Sequence, residues 1–181
     1  MAKNILLVHG SPRKGGNSDM LADEFERGAK EAGHNVTRID VGRAKIGGCM
    51  ACEYCFGHEG ECCQKDDMQQ FYPLLHEADM IAYATPMYFY NFPAQLRAFQ
   101  DRMFCGIAKP FGITETALLL CFEDKDASRS DPAVASFRVA AEYCKQEVLG
   151  TVIVNNVYEK GAIDGNPGLE EAYNLGRSLR A

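Results

Sequence analysis

The chain has 181 residues, 46% apolar and 24% charged, the balance of a globular protein with a sizeable core. Its formal net charge of -6 argues against a broad basic face for nucleic acid or anionic lipid. No stretch approaches the roughly 20 apolar residues that cross a bilayer, and Ile5-Leu6-Leu7-Val8 is too short for a secretory leader; a cytoplasmic protein with no membrane or nucleic-acid partner is expected.

Residues 4–9 form a short apolar run that predicts a buried parallel strand, and residues 10–17 form a loop of Gly, Ser, Pro and basic side chains. Met20, Leu21, Phe25, Ala29 and Ala32 mark one face of a helix over 19–32, which Gly33 should terminate. A second, weaker strand follows at 36–41. Residues 42–65 are too long for a bare connector and carry five of the eight cysteines. Asp66 can cap a helix to about 78, which Pro73 should kink or break. Strands at 80–84, 116–122 and 151–155 alternate with helices at 93–104, 131–149 and 168–180. Five strands alternating with helices imply a parallel α/β sheet covered on both faces, in three layers. No internal repeat or linker divides the chain, so 1–181 is expected to form one domain.

The loop Gly10-Ser11-Pro12-Arg13-Lys14-Gly15-Gly16-Asn17-Ser18 lies between the first strand and the first helix. Ligands of open α/β sheets bind beyond the carboxyl ends of strands, where helix N-termini present free amides and a positive dipole end. Ser11 and Ser18 add hydroxyls, Arg13 adds a charged fork, and the glycines admit close backbone approach. The loop lacks both the Gly-Lys-Ser/Thr ending of a P-loop and the G-x-G-x-x-G spacing of dinucleotide sites. A metal-free phosphate site is expected, against the alternative of a glycine-rich surface turn.

Thr85-Pro86-Met87-Tyr88-Phe89-Tyr90-Asn91-Phe92-Pro93 follows the third strand at the same sheet edge. Four aromatic side chains in one loop are costly if left in water. A flat apolar ligand such as an isoalloxazine ring, its polar edge met by backbone amides and Asn91, would account for them. A self-packed loop or a subunit interface would do so equally.

Eight cysteines in a chain expected to be cytoplasmic argue against a disulfide scaffold. Cys105, Cys121 and Cys144 stand apart in apolar or helical surroundings and read as buried small side chains. Cys49, Cys52 and Cys55 at short spacing, followed by Cys62, offer four thiolates from one compact segment, enough for a [4Fe–4S] cluster. Structural zinc and redox-active thiols compete with that reading. Cys63 is an additional thiol that could take the place of Cys62 as the fourth ligand; His58, within the loop, reads as solvated, and His9, His34 and His76 show no partner in the sequence.

The loop Gly-Ser-Pro-Arg-x-x-Gly-Asn-Ser, the segment Thr-Pro-Met-Tyr-Phe and the following Pro-Ala-Gln-Leu-Arg-Ala-Phe-x-Asp-Arg resemble the flavodoxin-like NAD(P)H-dependent FMN reductases. The cysteine loop before Lys65-Asp66-Asp67-Met68, and the segment Tyr158-Glu159-Lys160-Gly161-Ala162-Ile163, resemble more narrowly the iron–sulfur flavoproteins. The resemblance implies a flavodoxin-like sheet of order 2-1-3-4-5 with the cysteine loop at about 42–65 as an insertion. It implies FMN held at the phosphate by Ser11, Arg13, Asn17 and Ser18 and at the ring by Pro86, Met87, Tyr88, Phe89 and Asn91. A third flavin-facing loop is implied near Glu123 and Asp124, where the sequence departs from the pattern. It also implies a [4Fe–4S] cluster on Cys49, Cys52, Cys55 and Cys62, although some relatives keep such cysteines as a flavin lid. The expected protein is an FMN-dependent oxidoreductase that takes electrons from NAD(P)H or a ferredoxin-type carrier and works as a homodimer or homotetramer. A cluster-free NAD(P)H-dependent reductase of flavin, quinones or nitro compounds is the second expectation, and a flavin-free zinc or thiol redox-sensing module the third.

Overall fold

The computed structural model describes residues 1–180. In chain order the elements are β1 (Asn4–His9), α1 (Asn17–Glu31), β2 (Asn35–Asp40), the short α2 (Tyr54–Gly57), α3 (Tyr72–Glu77), β3 (Met80–Pro86), α4 (Ala94–Arg102), β4 (Glu115–Cys121), α5 (Asp131–Tyr143), β5 (Glu147–Val154) and α6 (Pro167–Arg177). The five strands pair in parallel in the order β2-β1-β3-β4-β5, as expected. Ile5, Leu6, Leu7 and Val8 are all buried, since a central strand is covered on both faces and needs no polar alternation. One face places Ile5, Leu7, Leu119 and Val152 against Leu21 and Phe25 of α1 and Ala172 of α6. The other places Leu6, Val8, Ile81 and Leu118 against Leu75 of α3, Leu96 and Phe99 of α4, and Phe137 of α5.

The chain winds from β1 outward to β2, then passes back over β1 to β3. The crossovers on either side of β1 diverge there, so the carboxyl ends of β1 and β3 open into a crevice. His9 and Ala84 are paired at that edge, and the Gly10 amide donates to the Ala84 carbonyl at 2.9 Å. The loops after β1 and β3 therefore start side by side.

His34 staples the opposite end. Its Nδ1 accepts from the Lys3 amide at 3.1 Å, which leaves Nε2 to donate to the Leu179 carbonyl at 3.1 Å. Among the described residues no helix is long and apolar enough to cross a membrane.

Three expectations are corrected. The helix expected over 131–149 ends at Tyr143, and the strand expected over 151–155 begins at Glu147. Lys145 has φ 56°, its amide donates to the Glu142 carbonyl, and the Gln146 amide donates to the Ala141 carbonyl. That is a Schellman closure with lysine where glycine usually stands, so Val148 and Leu149 continue as strand. Cys144 therefore lies at the exposed end of α5 rather than in a buried helix interior. The break expected at Pro73 within 66–78 is present: Asp66 accepts from the Met68 amide to start a 3₁₀ turn at Asp67–Gln70, and α3 begins anew with Pro73 in its first turn.

Candidate cofactor site

α1 starts without a side-chain cap, since its N-cap is Gly16. The amides of Asp19 and Met20 both turn back onto the Gly16 carbonyl. The first two helical amides, of Asn17 and Ser18, have no such partner, and a helix end of this kind suits an anion. Beneath it, the Ser11 hydroxyl accepts from the Arg13 amide at 3.1 Å and closes the turn.

A layer of buried polar groups supports this loop. The Asp19 carboxylate accepts from the Gly15 amide and faces Nε2 of His9, and the Ser18 hydroxyl lies 3.4 Å from that same nitrogen. His9 is buried; desolvation outweighs the pull of Asp19, with Arg38 and Arg43 adding to it, and its pKa lies below the ordinary value. The imidazole is thus neutral near pH 7 and leaves the positive character of the loop to the helix end and to Arg13. Because the folded state resists protonating His9, this contribution is complete above about pH 6.5 and is lost as pH falls below it. The drop in melting temperature between pH 7.5 and pH 5.5 is expected to be smaller in His9→Gln than in the parent, as read by thermal unfolding across that range.

The loop after β3 forms the opposite wall. Met87 continues the ladder, its amide donating to the Cys121 carbonyl at 2.9 Å. Tyr88 and Asn91 then exchange backbone hydrogen bonds at 2.8 and 3.0 Å around a two-residue turn. Its central residues, Phe89 and Tyr90, have φ of 48° and 63°. Such turns favour Asn or Gly there, and bulky residues in this region carry strain. Phe89 is 99% exposed, so the strain holds a large aromatic side chain in water beside the crevice.

Ser11, Arg13, Asn17, Ser18, Pro86, Met87, Tyr88 and Phe89 border one cleft of about 380 Å³, with Glu123 of the loop after β4 and with Tyr158 and Lys160 of the loop after β5. That volume is within the range of small-molecule sites, roughly 300–1,000 Å³. Asn91 does not border the cleft; its side-chain oxygen accepts from the Phe92 amide at 2.8 Å and shapes the turn. Asn17 borders it, but its side chain is occupied elsewhere: the oxygen accepts from the amides of Gly161 and Ile163, and the nitrogen donates to the Glu159 carbonyl. It thereby draws residues 158–163 over the mouth, where the Arg13 guanidinium stands 5.4 Å from the Tyr158 ring centroid. The sequence marks Tyr158 and Lys160 only as part of a segment like one in the iron–sulfur flavoproteins; a Tyr and a Lys just past a strand's carboxyl end are the signal that could place them in the site. The cleft therefore offers two unpartnered helical amides, the cations Arg13 and Lys160, and an aromatic wall, a set that fits a mononucleotide carrying a flat ring.

The five loop cysteines and Cys105 surround a separate small hollow. All are free thiols, and among the described residues Cys52 and Cys63 are in mutual contact, their sulfurs 3.6 Å apart. Burial pushes the Cys105 thiol up to about 11 and the Cys121 thiol, in the cleft, up to about 12. Among the described residues no three His, Cys, Asp or Glu side chains are grouped to hold a metal ion. The thiols fit a soft metal centre in donor type and number, without converging on one point. His58 stacks on Tyr54 at 3.5 Å between ring centroids.

A parallel 2-1-3-4-5 sheet with a cleft at its β1/β3 switch defines a flavodoxin-like protein. The sequence profile of the NADPH-dependent FMN reductases matches residues 3–121, and the chain belongs to that family. It is 37% identical over 96 residues to an iron-sulfur flavoprotein of Archaeoglobus fulgidus, covering 53% of this chain and 43% of the relative. It is 36% identical over 95 residues to an iron-sulfur flavoprotein of Methanosarcina thermophila, covering 52% and 49%. The aligned stretch thus spans less than half of these relatives. Among solved structures, an NAD(P)H:quinone oxidoreductase from Methanothermobacter marburgensis superposes with a TM-score of 0.77 at 15% identity, over 100% of this chain and 98% of that one. An azoreductase from Bacillus anthracis gives 0.73 at 17% identity, over 99% and 100%. At such identities the likeness is one of fold.

Proposed function

We propose that the chain is a single FMN-binding unit that moves electrons through the cleft, with residues 42–65 inserted to hold a [4Fe–4S] cluster on Cys49, Cys52, Cys55 and Cys62. The observation that carries the FMN assignment is the uncapped start of α1, with two unpartnered amides opposite the aromatic turn. The Asn17 and Ser18 amides, the Ser18 hydroxyl and the Arg13 side chain bind the phosphate without a metal. Pro86, Met87, Tyr88 and Phe89 flank the ring, and Asn91 holds their turn. Lys160 and Tyr158 close over the mouth and exclude water. Bound FMN supplies a hydride acceptor able to release electrons singly, and a cluster supplies a one-electron carrier beside it. No side chain is required as a general acid or base. The donor proposed is NAD(P)H or a ferredoxin-type carrier, and the working form a homodimer or homotetramer. Support for the cluster comes from the thiol set around one hollow and from the name of the relatives.

A cluster-free NAD(P)H-dependent reductase is the second reading, favoured by the absence of any three grouped ligands among the described residues. An absorbance spectrum of anaerobically purified protein, with assays of FMN, iron and acid-labile sulfide, tests both. About one FMN and four irons per chain are expected. FMN without iron or sulfide selects the second reading, and failure to carry or take up FMN overturns both.

A further inference from the structure

Arg102, the last residue of α4, is the largest fully buried side chain of the described residues and is 1% exposed. A guanidinium cannot lose its charge and is costly to bury, so its partners indicate what it is for. Its Nη1 donates to the Gly47 carbonyl at 3.1 Å and to the Asp66 carboxylate at 2.6 Å, and its Nη2 donates to the Gln64 carbonyl at 3.4 Å. Gly47 precedes the first loop cysteine, and Gln64 and Asp66 follow the last. One side chain of the sheet-packed α4 therefore grips both ends of the cysteine loop. Two further bonds close the same neck: the Gly47 amide donates to Asp66 at 2.9 Å, and the Gln64 side chain donates to the Gly48 carbonyl at 3.0 Å.

The guanidinium also borders the hollow shared by the loop cysteines, and its Nε is buried without a partner. The proposed electron path makes no use of this charge. We propose that Arg102 is a positioning residue of the cysteine centre: it clamps the neck of the loop, and its positive charge raises the reduction potential of the group the thiols hold. A centre bound by several thiolates becomes more negative when it takes up one electron, and a cation in a poorly solvated position favours that state. The potential-setting half rests on the cluster proposed above; the clamp does not.

The test uses the full chain and the variants Arg102→Lys and Arg102→Met, prepared anaerobically. Amide hydrogen exchange over residues 47–66 is measured on FMN-loaded, metal-free protein, and the potential of iron-loaded protein is followed by spectroscopy during titration with dithionite. Exchange of the neck amides in Arg102→Met is expected to be at least tenfold faster than in the parent. Its iron content should fall by more than half, and the remaining centre should titrate at a lower potential. Arg102→Lys should keep the parent's potential more nearly but not its exchange protection, because one ammonium cannot span both ends of the neck as the fork does. Unchanged exchange in both variants overturns the clamp and leaves the cluster standing. Parent-like potentials in both overturn the potential-setting half, as does a parent that binds FMN but no iron or sulfide. If Arg102→Met fails to fold, judged by loss of FMN and of protection throughout, the Lys variant decides both halves.

Discussion

Replacing Gly42 with alanine is expected to weaken FMN binding by at least tenfold, or about 1.4 kcal/mol. Gly42 follows β2, and its amide donates to the His9 carbonyl at 3.1 Å. A Cβ built there would stand 2.1 Å from the Ser11 carbonyl oxygen and 2.9 Å from the Gly10 carbonyl carbon. Both are backbone atoms of the loop that opens onto the cleft, so no side-chain rotation relieves the clash. The loop must shift by about 1 Å, and a shift of that size is enough to misalign donors that bind a phosphate by direction as well as charge. The core strands pair as before, so unfolding should be affected less than binding. Fluorescence quenching of FMN titrated with apoprotein measures the change. Parent-like affinity in Gly42→Ala would mean that the loop after β1 does not hold the phosphate.

Asp66→Ala is expected to destabilise the protein by about 2–3 kcal/mol, because it leaves a buried guanidinium without its counter-charge. The Arg102 side chain is 0% exposed while that of Asp66 is 21% exposed, which places the loss toward the lower end for a broken buried pair. The same carboxylate accepts from the Gly47 amide and caps the 3₁₀ turn at Met68, so three bonds disappear together. Burial opposes ionisation of Asp66, but the hydrogen bonds from Arg102, Gly47 and Met68 outweigh it and hold its pKa below the usual aspartate range. A depressed carboxylate pKa contributes stability that is present above about pH 4 and is lost as pH falls through the folded value. Urea unfolding at pH 7 and pH 3 checks both points: the gap between Asp66→Ala and the parent should narrow at the lower pH. A gap of equal size at both would assign the loss to packing instead of charge.

Local signals were legible where one residue type fulfils a local requirement. Residues 4–9 are an apolar run between polar neighbours, and β1 occupies Asn4–His9. Gly33, with φ 89°, ends α1 through the same Schellman closure that Lys145 forms after α5. The glycine announces that closure and the lysine conceals it, since its left-handed backbone is imposed by what surrounds it. The strand order, likewise, came from the likeness to a family and not from any periodicity.

The pattern of residues along the chain determined the alternation of strands and helices, the glycine-rich loop after β1, the aromatic loop after β3 and the thiol-rich segment between β2 and α3, because each depends on neighbours a few positions apart. Tertiary structure alone decided which of these groups meet. It put Lys160 and Tyr158 at the mouth of a cleft begun at Ser11, turned the Asn17 side chain toward residues 159–163, and set Arg102 under a loop whose neck residue Gly47 lies 55 positions before it. Such encounters depend on the order in which parallel strands lie side by side, and that order is settled by the packing of both faces of the sheet at once.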